Sequence, residues 1–148
     1  DYENQSRIFE RVTYEVFRKR ATEVIESLDA VIKIYRSNGY QIALVGAAAK
    51  AMTVVQKCEF DPDLVFDEAP LKINKFLPNL NVRISHLDDV KNIDSPVLFI
   101  ISAWNFYDNL AVKIASRCNG VGSGDFLVLR YFPELEIRDL AEIREPVD

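Results

Sequence analysis

The sequence predicts an α/β fold: a doubly wound, mainly parallel sheet preceded by a long amphipathic helix. Three observations carry this. Apolar residues recur at helical spacing from Phe9 to Tyr35, short apolar runs then alternate with helix-forming stretches, and a glycine, Gly46, stands where the first such run ends. Strands that alternate with helices need crossover connections, which pack as a parallel sheet with helices on both faces.

Taken in order, Phe9, Val12, Val16, Ala21, Val24, Leu28, Val31 and Tyr35 fall on one helical stripe with Arg, Lys and Glu elsewhere. Asn38–Gly39 supplies the stop, because glycine takes the left-handed position after a helix without strain. Gln41–Val45 reads as a strand, Gly46 as a tight turn, and Ala47–Lys57 as a helix. Leu64–Phe66 and Val82–Ile84 are predicted as short buried strands, and Pro96–Ile101 as a central strand buried on both faces. Ser85 followed by Asp88 resembles a capping box, Asp108–Arg117 is a further amphipathic helix, and Phe126–Leu129 reads as the last strand after the Asn119–Gly124 turn region. The expected organisation is one domain: a helix over residues 1–39 that packs on an α/β body over 40–148.

Composition narrows the functional classes. A chain of 148 residues, 49% hydrophobic, is long enough for one domain with a substantial core. Its formal net charge of -5 argues against binding nucleic acid or an anionic membrane, both of which require clustered Lys and Arg. The longest apolar stretch, Pro96–Ala103, is far short of the roughly 20 residues that a spanning helix needs, and no signal peptide opens the chain, so a cytoplasmic location is expected. Cys58, His86 and Cys118 lack any zinc-ligand spacing, and no disulfide framework is expected from two cysteines. With Asp at position 1 and Met52 the only methionine, the chain is expected to be part of a longer polypeptide.

In a doubly wound sheet, ligands bind beyond the carboxyl ends of the strands, where strand order reverses. Three segments reach that edge. Gly46 and Ala47 with Ala48, Ala49 and Lys50 put very small residues where a strand turns into a helix, so that backbone N–H groups, the helix dipole and Lys50 can approach an anion, or so that helix and sheet can pack closely. The further glycines of a dinucleotide fingerprint are missing, which disfavours NAD, FAD or a methyl donor in this loop. Asp67 follows the second strand, a position that serves ribose hydroxyls or a loop anchor, with Lys72 and Lys75 beyond it. Trp104, Asn105 and Phe106 follow the most hydrophobic strand and suit either a base or sugar pocket or an aromatic core with Asn105 as a helix cap. His86, the one imidazole, is a weak catalytic candidate with no partner identifiable from spacing.

The ordered series Gly46-Ala47-Ala48-Ala49-Lys50 with Thr53, then Asp67-x-x-Pro70-x-Lys72-x-x-Lys75-x-x-Pro78, then Ala103-Trp104-Asn105-Phe106 resembles the C-terminal domain of the S-adenosylmethionine-dependent C-methyltransferases that modify nucleotide-linked deoxysugars. The likeness covers roughly Gly39 to Leu129, and the long helix before it fits. Departures include Val45 in place of Tyr, Ala51 in place of Gly, and Asn74 and Asn79 in place of Gly; the two asparagines tolerate positive φ.

The resemblance implies a Rossmann-like domain that closes over a nucleotide-sugar, with Gly46, Ala47, Lys50, Thr53, Asp67, Lys72, Lys75, Trp104, Asn105 and Phe106 as its binding residues. It implies that S-adenosylmethionine and zinc belong to upstream domains of the same polypeptide, and that this domain alone does not catalyse methyl transfer. The alternative is a degenerate, non-catalytic domain that serves assembly within a larger polypeptide.

Overall fold

The computed structural model describes residues 11–118 and 125–143. Helix α1 (Arg11–Ser37) leads into strand β1 (Gln41–Val45), helix α2 (Ala49–Cys58) and strand β2 (Leu64–Asp67). Strand β3 (Ile84–His86) runs into a 3₁₀ turn, then come β4 (Val97–Ile101), a second 3₁₀ turn at Trp104–Phe106, α3 (Tyr107–Arg117), β5 (Phe126–Arg130) and β6 (Glu136–Asp139). The six strands form one sheet in the order β3-β2-β1-β4-β5-β6. The first five are parallel, and β6 runs antiparallel to β5.

The alternation of side chains along β1 and β4 divides the core in two. Ile42 and Leu44 of β1, with Leu98 and Ile100 of β4, pack against Leu28 and Ile32 of α1 and Val54 and Val55 of α2. On the other face, Ala43, Val45, Val97, Phe99 and Ile101 meet Tyr107, Leu110, Ala111 and Ile114 of α3. Every residue of β4 is fully buried, as expected for the central strand of a doubly covered sheet. The chain is thus α/β and doubly wound, as predicted. The strand-order reversal lies between β1 and β4, whose neighbours on either side are β2 and β5.

Several boundaries differ from expectation for identifiable reasons. β6 was not expected after Phe126–Leu129; its sequence, Glu-Ile-Arg-Asp, is half-buried throughout and carries no apolar run. The strand expected at Val82–Ile84 begins at Ile84, because pairing with β2 extends to Asp67↔His86. Ser85 is therefore still inside the strand, and the cap of the 3₁₀ turn that follows is His86, whose Nδ1 accepts the amide hydrogen of Asp88. Asn119–Gly124 and Phe9 lie outside the described residues.

Helix α1 has two halves. Val24, Leu28, Val31 and Tyr35 of the predicted stripe do pack on the sheet, joined by Ile25 and Ile32. Val16 is 46% exposed and Ala21 is also exposed, as is the whole stretch from Thr13 to Glu23. The reason is length: a helix of 27 residues spans about 40 Å, roughly twice the reach of five-residue strands. The helix stops as predicted at Gly39, where φ is +86° and the amides of Gly39 and Tyr40 close back on the carbonyls of Arg36 and Tyr35. Asn74 and Asn79 also adopt positive φ, +65° and +63°, as their residue type permits.

Candidate functional site

β1 ends in a turn that disfavours any side chain at Gly46. Its φ is +93°, and a Cβ built there would stand 3.0 Å from Ser102 Oγ and 3.4 Å from Ala103 Cβ. The fully buried Ser102 ties three strand ends together: its hydroxyl donates to the carbonyls of Val45 and Gly46, and its own carbonyl accepts the Tyr131 hydroxyl at 3.1 Å.

The amides of this turn are largely engaged within the protein. Gly46 N–H donates to Phe66 O, Ala47 N–H to Asp67 Oδ2 and Ala48 N–H to Gly46 O. Ala48 is the N-cap of α2 and makes no side-chain cap, so an anion approaching the turn would meet the first helical turn, Ala49 and Lys50, rather than the loop before it.

Asp67, 8% exposed, anchors this arrangement from the end of β2. Oδ2 accepts from Ala47 N–H at 2.7 Å and from Lys72 Nζ at 2.9 Å, and Oδ1 accepts from Ala69 N–H at 2.8 Å. Burial pushes its pKa up, but the Ala69 amide, the Lys72 ammonium and the Ala47 amide outweigh burial and hold the carboxyl below the ordinary aspartate value. The position that serves ribose in dinucleotide-binding sheets is therefore spent here on bracing two loops.

A cleft of about 550 Å³ opens at the carboxyl edge beside the reversal in strand order. Val45, Gly46 and Ala48 line it at and just past the end of β1, and Asp67, Glu68 and Lys72 line it from the β2 side. Ala103 and Phe106 line it after β4, while Leu87 after β3 and Asn109, Leu110 and Lys113 of α3 contribute to the other walls. Among the described residues its two cations are both paired: Lys72 with Asp67, and Lys113 with both carboxylate oxygens of Glu68 at 2.9 Å.

The structure thus brings Gly46, Asp67, Lys72 and Phe106 into one cleft, with Ala47 held behind it by Asp67. Lys50 lies in the first turn of α2, and Thr53 one turn on, its hydroxyl bonded to Ala49 O. Lys75 is carried to the β3 edge, where its carbonyl accepts from Ile84 N–H. Trp104 packs on Phe132, ring centroids 4.7 Å apart, and against the α1 face of the core. Asn105 is exposed and caps neither helix: Ala103 and Phe106 hold those positions. His86 caps its 3₁₀ turn at the edge strand. Asn109 and Lys113 were not anticipated; their spacing of four on a helix, beside the apolar stripe of α3, is the sequence signal that would have found them.

Cys58 lies in the core on the α1 face and Cys118 packs against the opposite face, so the sheet separates them. Among the described residues no three His, Cys, Asp or Glu converge to hold a metal ion, and no helix is long and apolar enough to cross a membrane. No curated protein sequence matches the chain significantly. The family model of the C-methyltransferase C-terminal domain matches residues 1–128, which takes in α1 and the sheet as far as β5, and the chain belongs to that family.

Proposed function

We propose that this domain is the nucleotide-sugar-binding part of an S-adenosylmethionine-dependent sugar C-methyltransferase and does not transfer a methyl group by itself. The observation that carries the reading is the cleft beside the reversal in strand order, where the α2 N-terminus, two lysines, an amide side chain and the exposed Phe106 converge. Open α/β sheets bind phosphorylated ligands at that edge. In this reading the first turn of α2, from Lys50, lies beside the diphosphate, while Phe106 and Asn109 shape the pocket for base or sugar.

The methyl donor and a zinc ion would belong to other domains of the polypeptide, which with the nucleotide-sugar are the partners of this one in the cytoplasm. This chain's own residues suit the donor poorly. Gly46 is the only glycine of its βα turn, and Asp67 is occupied by two amides and a lysine. Neither nucleic acid nor a membrane is proposed as a partner, given the net charge of -5.

Titration of the ¹⁵N-labelled chain with uridine and thymidine diphosphate sugars tests the reading. Amide shifts centred on Gly46, Ala48, Phe106 and Asn109 are expected. Shifts centred elsewhere, or none in a folded sample, would overturn it in favour of an assembly domain, a role to which the exposed Tyr14 and Phe17 on α1 are suited.

A further inference from the structure

The two lysines of the cleft are paired with acids of very different character. Asp67 is buried, and its carboxylate already serves the Ala47 and Ala69 amides as well as Lys72. Drawing Lys72 away would leave a buried carboxylate short of a compensating charge, which is costly. The Glu68 side chain, by contrast, is 41% exposed, and both of its oxygens face Lys113 across the cleft mouth. An ion pair of that kind contributes little to stability, and its carboxylate can turn to water at small cost.

We propose that Lys113 is the phosphate-binding cation of the cleft and that Glu68 guards it. An anionic ligand displaces the Glu68 carboxylate and takes its place on Lys113, while Lys72 stays with Asp67 as part of the scaffold. This rests on the nucleotide-sugar reading above and adds to it the group that contacts the phosphate and the group that competes with it. Among the described residues the two pairs, Lys72–Asp67 and Lys113–Glu68, balance the charge of the cleft lining. Lys113 projects from α3 and Glu68 from the loop after β2, so the pair spans the opening that a diphosphate must pass. The exchange also imposes specificity, since an uncharged ligand has nothing to offer Lys113 in return for the carboxylate.

The test compares the unaltered chain with Glu68→Gln, Lys113→Met and Lys72→Met. The calorimetric probes are uridine diphosphate, inorganic pyrophosphate and uridine, and thermal melting is followed in parallel. Glu68→Gln should tighten uridine diphosphate and pyrophosphate about two- to fivefold, the range in which exposed ion pairs act. Lys113→Met should weaken both about tenfold or more at unchanged melting temperature, as loss of a charge-assisted bond predicts. Uridine should be indifferent to both changes, and Lys72→Met should lower the melting temperature before it affects binding. If the unaltered chain binds uridine diphosphate and Glu68→Gln binds it no more tightly, or Lys113→Met binds it equally well, the guarded-lysine proposal fails while the nucleotide-sugar reading stands. If neither the unaltered chain nor Glu68→Gln binds at millimolar concentration, both fail together.

Discussion

The Asp67 carboxylate reaches from the end of β2 to the backbone amide of Ala47 just past the end of β1, in a buried hydrogen bond of 2.7 Å. That bond fixes the turn on which the cleft depends, because Ala47 lies between Gly46 and the N-cap of α2. Asp67→Ala would strip two amides and Lys72 of their acceptor at once. A loss of about 3 kcal/mol in unfolding free energy is expected, since hydrogen bonds to charged groups are each worth roughly 1.5–3 kcal/mol and some water would re-enter. Denaturant titration measures it, and a loss below about 1 kcal/mol would show that the turn holds without its brace.

The same carboxylate gives stability a defined dependence on acid. Folding lowers its pKa below the ordinary 3.8, so the unfolded chain takes up the proton first as pH falls. Its contribution is complete well above 3.8, begins to fall as pH approaches that value and disappears as pH drops through the lower folded value. The melting-temperature gap between the unaltered chain and Asp67→Asn should therefore narrow between about pH 5 and pH 2. A gap constant over that range would mean that Asp67 titrates alike in both states.

At Gly46, left-handed backbone and close neighbours act together. Gly46→Ala places its Cβ 3.0 Å from Ser102 Oγ in a conformation that L-residues rarely adopt, and about 1–3 kcal/mol of destabilisation is expected. Gly39→Ala is the informative comparison. Its φ of +86° is similar, yet nothing lies within 4 Å of an added Cβ, so only the backbone component should appear. Equal losses in calorimetric melting of the two variants would refute the contribution of the Ser102 contact.

The sequence was most legible where burial and periodicity coincide. β1 is predicted at its observed bounds because a run of four buried residues is closed by Gly46, and β4, expected over Pro96–Ile101 because it is apolar throughout, is found one residue shorter at Val97–Ile101. β6 was invisible for the opposite reason, an edge strand of alternating charge held mainly by backbone pairing to β5. At the site, strand ends located Gly46, Asp67, Lys72 and Phe106, since topology alone carries them to one edge. Strand ends alone do not say that Asp67 is consumed by internal bonds, which depends on the register that sets β2 beside β1, nor which flank of α3 turns Asn109 and Lys113 toward the opening. The aromatic trio divided for a similar reason: Trp104 found Phe132, from the chain beyond β5, whereas Phe106 remained at the cleft.

The two halves of α1 should respond differently to truncation. Leu28 is fully buried under the sheet, and Leu28→Ala is expected to cost about 2–5 kcal/mol, whereas Phe17, 69% exposed, should change stability by less than about 0.5 kcal/mol on truncation to Ala. Cys58 offers a direct probe of the docked half. Its thiol is 5% exposed, lies 3.8 Å from the carbonyl of Ile25 on α1, and is pushed up to about 11 by burial. At pH 8 only about one molecule in a thousand would carry the reactive thiolate. Alkylation of Cys58 in a Cys118→Ser background should therefore be slow in the unaltered chain, accelerate markedly in Leu28→Ala as the helix undocks, and stay slow in Phe17→Ala. Equal rates in the two variants, or a Leu28→Ala loss under about half a kcal/mol, would show that the helix rests on the sheet without being held by it.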